Sequence, residues 1–178
     1  MPQKWLHCVA PDGADAPPFG QALVVQVHKS SHTESLENYH GVPEGWSKKE
    51  ILGEYANLDG QFSIDGPDAT EPGAPAFLPD RFSWLQYRET LRRIGDGVRE
   101  NDHGCIELAI RYIELNYFGS YSGYICARLA RTLKNKEIST SQKNRLRESH
   151  RRRIDSKECF EEFSEIKKLI ENINEKDN

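Results

Sequence analysis

Residues 105–117, CIELAIRYIELNY, read as a helix that is apolar on nearly every side. Its polar positions are Glu107, Arg111 and Glu114. Steps of four and three keep them in one narrow stripe, with Glu107 placed to pair with Arg111 one turn later. A helix with so little polar surface must be covered on two sides or more. It belongs at the centre of a helical domain, and the expected fold class is mainly α, a helical bundle.

The flanking segments supply candidates for that cover. Upstream, RFSWLQYRETLRRI (81–94) turns Phe82, Leu85, Thr90 and Leu91 towards Trp84 and Ile94, a face wide enough to pack. The following Gly95-Asp96-Gly97 is expected to interrupt or end this helix, since glycine is costly inside one. Downstream comes YFGSYSGY (117–124), which resolves as a corner between helices. Gly119 is expected in the left-handed conformation that ends a helix, Ser120 or Ser122 as the next cap, and Gly123 at a close backbone approach. The tyrosines are expected to pack around it. The stretch is no nucleophile elbow, because Tyr121 stands where the serine belongs and a helix precedes it. It is no phosphate loop either, lacking the Gly-Lys-Ser/Thr ending.

Beyond the corner, YICARLARTLK buries Ile125, Leu129 and Leu133 and presents Arg128, Arg131 and Lys134. Ser139 and Gln142 form a capping box that opens a basic helix. Asp155 and Glu158 repeat the device, so the basic helix should end near Ile154 and another begin. There Cys159, Phe163, Ile166, Ile170 and Ile173 recur at steps of 4, 3, 4 and 3. That seam must be buried on the bundle or on a second copy of the chain, which would make a homodimer through the C-terminal helix.

The first 80 residues differ in character. KWLHCVA (4–10) and QALVVQVHK (21–29) are β-prone and can pair as a small hairpin. Ser47 and Glu50 mark a helix start over ILGEYANL, and residues 59–80 are rich in proline and glycine. The expected organisation is an irregular acidic part, 1–80, packed on a helical domain, 81–178.

Residues 103–150, with IELAIRYIELNY, FGSYSGY, ICARLARTLK and ISTSQKNRL, resemble the helix–turn–helix unit of HEAT-like α-helical proteins. The resemblance implies a HEAT-like helix pair at the centre of the bundle. It also implies a scaffold or docking surface, which in such proteins sometimes meets nucleic acid. One such unit is legible, so the resemblance implies a bundle and not an array.

Composition narrows the function classes. With 37% hydrophobic residues and 29% charged ones, the chain can build one core. It contains no apolar run of about 18 residues, so no membrane span or membrane partner is expected. The N-terminal MPQKWLHCVAPDG lacks the apolar stretch of a secretion signal, which makes a cytoplasmic home the expectation. Cys105 and Cys126 sit among apolar neighbours and read as small buried hydrophobes.

The net charge of −4 hides a segregation: residues 1–80 carry −8, residues 125–153 carry +8, and the remainder from 154 carries −4. Arg128, Arg131, Lys143, Arg147 and Arg151 are therefore expected to form an outward basic ridge that binds a partner. Internal neutralisation by Glu158, Glu161, Glu162 and Glu165 is the competing expectation. Aromatic side chains are missing from 125–153, which speaks against stacking on single-stranded nucleic acid.

Catalytic constellations are poor. Glu107 and Glu114 share a face, but are expected to be a solvated stripe. His103 and Cys105 lack a third partner. Among His7, Cys8, His28, His32 and His40, only His28 and His32 have ligand-like spacing, and KSSHTES is a weak helix, so no metal or other cofactor is assigned. The reading that follows is a non-catalytic macromolecule-binding protein, a small adaptor, inhibitor or immunity-type partner of another protein. The alternatives are a nucleic-acid-binding accessory protein using the basic stretch 125–153, and an enzyme acting through the N-terminal histidines.

Overall fold

The computed structural model describes residues 41–66, 81–119, 121–157 and 163–177, all within the unit Ser31–Asn178. They form six helices: α1 (Lys48–Asn57), α2 (Arg81–Arg99), α3 (His103–Leu115), α4 (Ser122–Leu133), α5 (Thr140–Asp155) and α6 (Phe163–Lys176). There is no strand among the described residues, and the mainly α class holds. The hairpin expected over 4–10 and 21–29 lies outside them.

Both testable capping boxes form. Ser47 Oγ accepts from Glu50 N at 3.3 Å while Ser47 N donates back to Glu50 at 2.9 Å. Ser139 and Gln142 do the same at 3.2 and 2.9 Å. Each box satisfies end donors that the helix itself cannot.

Helix α3 is central, packing on α1, α2, α4 and α5. It buries Cys105, Ile106, Leu108, Ala109, Ile110, Tyr112 and Ile113, as its near-absence of polar positions requires. Inside the core the Tyr87 and Tyr112 hydroxyls bond each other at 2.9 Å, one donating and the other accepting, so each buried hydroxyl has a partner. Helix α1 adds Ile51 and Tyr55 to the same core, so residues 41–66 are part of the bundle. The α6 seam is buried against α4 and α5 through Ile166, Leu169, Ile170 and Ile173. A second copy is not needed to cover it. Phe163 stacks on His150 of α5 with ring centres 5.0 Å apart, and Cys159 lies outside the described residues.

Three local expectations are corrected. First, Gly95-Asp96-Gly97 does not break α2, which runs through it to Arg99. A Cβ on Gly97 would overlap Cys105 Sγ and stand 2.9 Å from the Phe62 ring. The glycine is there so that α3 can approach, and that packing outweighs its cost of about 1 kcal/mol in propensity.

Second, Gly119 is not the left-handed residue at the corner. Asn116 ends α3 at φ 51°, and Tyr121 starts α4 at φ 70°. Asparagine tolerates that region because its short amide bonds locally. Gly119 is small because the Tyr117 ring occupies the place of a Cβ. Ser122 Oγ accepts from Gly119 N at 2.9 Å and donates to Gly119 O at 2.7 Å, tying the corner together without capping α4.

Third, Asp155 opens no helix. It is the last residue of α5, accepts from Arg151 at 3.0 Å, and precedes Lys157 at φ 60°. The true buried acidic cap is Asp102, before α3. It accepts from Cys105 N at 2.7 Å, Gln61 N at 2.6 Å and Phe62 N at 3.0 Å, and so fastens the loop after α1 to the central helix.

Candidate anion-binding face

Helix α4 buries Ile125, Leu129 and Leu133, which leaves Arg128 and Arg131 on its outer side, as the spacing predicts. What the spacing does not show is their company. Arg99 from the end of α2 and Lys136 from the turn after α4 join them around a groove of about 500 Å³, with Tyr124, Thr132 and Asn135 completing its wall.

The charges in this groove are unevenly matched. Asp96 accepts from Arg128 at 2.8 Å and from Arg99 at 2.6 Å through one oxygen, and lies 3.7 Å from Arg92 through the other. One carboxylate thus serves three guanidiniums. Lys136 Nζ donates to the Arg99 carbonyl at 2.6 Å and the Asn101 side chain at 2.9 Å, both neutral. Arg131 is exposed and makes no ion pair among the described residues. Its charge is felt by Glu165, whose carboxyl is held below its ordinary range first by Lys168 and to a lesser degree by Arg131 and Lys134. The groove therefore keeps an excess of positive charge.

Beside it stands an aromatic corner. Phe118, Tyr121 and Tyr124 are 58%, 50% and 63% exposed, so these tyrosines do not serve as internal packing. Tyr121 meets Tyr124 edge-on at 5.7 Å and Trp84 at 6.0 Å. The Arg88 guanidinium lies over both Trp84 and Tyr121, at 5.2 and 5.3 Å, a cation–π arrangement that fixes the Tyr121 ring. Left-handed backbone at a tyrosine costs about 1–2 kcal/mol. Strain of this kind gathers where a side chain is held for use.

The five residues expected to form one ridge separate into three groups. Arg128 and Arg131 line the groove. Lys143 and Arg147 both bind Asp177, just past α6, Arg147 also reaching Asn174 at 2.9 Å. Arg151 is exposed and pairs within its own helix, with Glu148 at 2.8 Å and Asp155 at 3.0 Å. Arg99 escaped the sequence reading, Lys136 was legible only as one charge of the basic stretch 125–153, and the corner tyrosines, expected to pack, are exposed.

Internal neutralisation does occur among the described residues, through Asp177, Glu107 and Glu114. Glu165 pairs with Lys168, and Glu158, Glu161 and Glu162 lie outside the described residues. Arg145 instead reaches across to α3, bonding Glu107 at 2.8 Å and Glu114 at 2.9 Å. Glu107 also accepts from Arg111 and from Gln142, each at 2.9 Å. The polar stripe of α3 is thus a half-buried bridge to α5 and not a solvated face. Burial alone would raise the Glu107 carboxyl, but the bonds from Gln142, Arg145 and Arg111 outweigh it and hold it low.

Reactive side chains are arranged unhelpfully for nucleophilic chemistry. His103 is exposed while Cys105 is buried, and burial pushes the Cys105 thiol well above its ordinary value. No group of three His, Cys, Asp or Glu side chains able to hold a metal exists among the described residues. His7, Cys8, His28, His32 and His40 lie outside them. None of the helices described is long and apolar enough to cross a membrane. No family model, no curated protein and no solved structure matches this chain, so the HEAT-like resemblance of residues 103–150 rests on helix pattern alone.

Proposed function

We propose that the protein is a non-catalytic binding module that docks an acidic segment of a partner protein on the α4 face, acting as a small adaptor, inhibitor or immunity-type partner. One observation carries this reading: four cations line one groove in which a single carboxylate, Asp96, pairs with two of them, and the exposed Tyr124 and Tyr121 stand beside it. Tyrosine and arginine are the residues that most often anchor protein interfaces, because each offers a large, oriented contact area at low entropic cost. The chain as a whole carries −4, so its attraction for a long polyanion is weak and the positive field is local to the groove. Cys105 and Cys126 form no disulfide with each other, which suits a reducing compartment and favours a cytoplasmic site of action.

A second reading is favoured by one specific feature, the exposed Tyr121 and Tyr124 next to guanidiniums. Such a platform can stack the bases of a single strand. Fluorescence anisotropy with a labelled oligo-aspartate peptide and an oligo-dT of equal length separates the two. The peptide should bind with a shallow salt dependence, lose binding in Arg131→Glu, and keep it in Arg151→Glu. Tighter oligo-dT binding that falls steeply with salt would replace the protein partner by nucleic acid. Binding of neither ligand would remove the α4 face as the site.

A further inference from the structure

We infer that the α4 groove is a receptor for a phosphorylated side chain of the partner, with Arg99, Arg128, Arg131 and Lys136 closing on the phosphate. The inference rests on the docking reading above and adds the chemistry of the anchor. Asp96 takes one nitrogen from Arg99 and one from Arg128. Each guanidinium is thereby oriented, and Arg128, whose Nε is buried, can meet a ligand only through its terminal nitrogens. Lys136 is oriented in the same way by two neutral oxygens. Three of the four cations are thus held in place before a ligand arrives, and ordering long side chains is a cost that anion binding otherwise meets.

Charge selects the ligand. After Asp96 is counted, four cations leave an excess of about three. A peptide carboxylate brings a single negative charge and two acceptor atoms. A phosphomonoester brings about −1.5 to −2 at neutral pH and three acceptor oxygens, each a match for a guanidinium fork or an ammonium. A phosphodiester backbone brings one charge per unit, spread along a strand that a groove of about 500 Å³ cannot enclose. Tyr124, in the groove wall and 63% exposed, is placed to cover the stem of the phosphorylated residue. Asn135 adds a neutral amide to the wall.

The test is a nuclear magnetic resonance titration of the full chain, observing backbone and arginine side-chain N–H groups, with three probes. Phenyl phosphate should shift Arg99, Arg128, Arg131 and Tyr124 together and bind about tenfold more tightly than N-acetylaspartate N-methylamide, whose only charge is the side-chain carboxylate, as a doubly charged three-oxygen ligand should. Its affinity should fall as pH drops through about 6, where the monoester loses its second charge. Arg131→Gln, at an exposed position with no ion pair to break, should weaken phenyl phosphate about tenfold and leave the melting curve unchanged. Equal affinity for N-acetylaspartate N-methylamide would overturn the phosphate receptor and leave the acidic docking face standing. Displacement of phenyl phosphate by lower concentrations of a short oligo-dT would overturn it in favour of a nucleic-acid backbone. Absence of shifts with every probe would overturn both the receptor and the docking face.

Discussion

Two glycines inside helices should respond to the same substitution with opposite sign. Gly53 lies within α1, and a Cβ there would meet nothing within 4 Å. Gly53→Ala should therefore gain only the helix-propensity difference, about 0.5–1 kcal/mol. Gly97 lies within α2, where the added methyl would run into Cys105 Sγ, stand 3.0 Å from Cys105 Cβ and 2.9 Å from Phe62 Cδ1. Cys105 and the helix that carries it are buried against α2, so the neighbours cannot simply swing aside. Overpacking of this kind costs about 1–3 kcal/mol, which exceeds the propensity gain. The net loss at Gly97→Ala should be about 1–2 kcal/mol, a fall in melting temperature of roughly 2–8 °C for a chain of this size. Urea denaturation with a common m-value is the assay. Adding Cys105→Ala should relieve part of the clash, so the pair should be non-additive in a double-mutant cycle. A stabilising Gly97→Ala, or strict additivity with Cys105→Ala, would refute the close α2–α3 packing and restore the helix break that glycine suggests at this point.

Other consequences can be checked in the same assay. Burial alone would raise the Asp102 carboxyl, yet the bonds from Cys105, Gln61 and Phe62 prevail and hold it at about 2. A folded value below the unfolded one stabilises above the unfolded pKa and is lost as pH falls, so a contribution of about 2 kcal/mol should fade between pH of about 4 and 2, and Asp102→Asn should remove that dependence. His150 is held below its ordinary value by burial first and then by Arg153 and Lys167, against a weaker pull from Glu171. Its neutral form is the one that suits the fold, so stability should decline as pH falls below about 6.5. His150→Phe, which keeps the stack on Phe163, should flatten that decline; an unaltered slope would dismiss the histidine as its source. Removing residues 156–178 strips Ile166, Leu169, Ile170 and Ile173 from the core. At about 1.5–3 kcal/mol for each buried side chain, the loss rivals the stability of a whole domain, and cooperative unfolding should vanish. A shortened chain with the original transition would show α6 to be dispensable.

The local chemistry of this chain was legible without its fold. The capping boxes at Ser47 and Ser139, the buried faces of α3 and α4, and the seam of α6 depend on residues three or four apart, which a helix brings together by its own geometry. The central place of α3 followed from the same rule, because a helix with one polar stripe has no other stable position. Tertiary packing decided whatever needed a partner distant in the chain. Gly95 and Gly97 look like helix breakers until Leu129 is brought against the first and Cys105 against the second. Glu107 and Glu114 look solvated until Arg145, more than thirty positions on, spans both. The basic run from 125 to 153 looks like one ridge because its charges are consecutive. In the bundle Asp177 takes Lys143 and Arg147, Arg151 pairs along its own helix, and Arg128, Arg131 and Lys136 reach the groove, where Arg99 and Tyr124 join them. Charge is a property of composition, but the field it makes depends on which counter-ions folding places beside it.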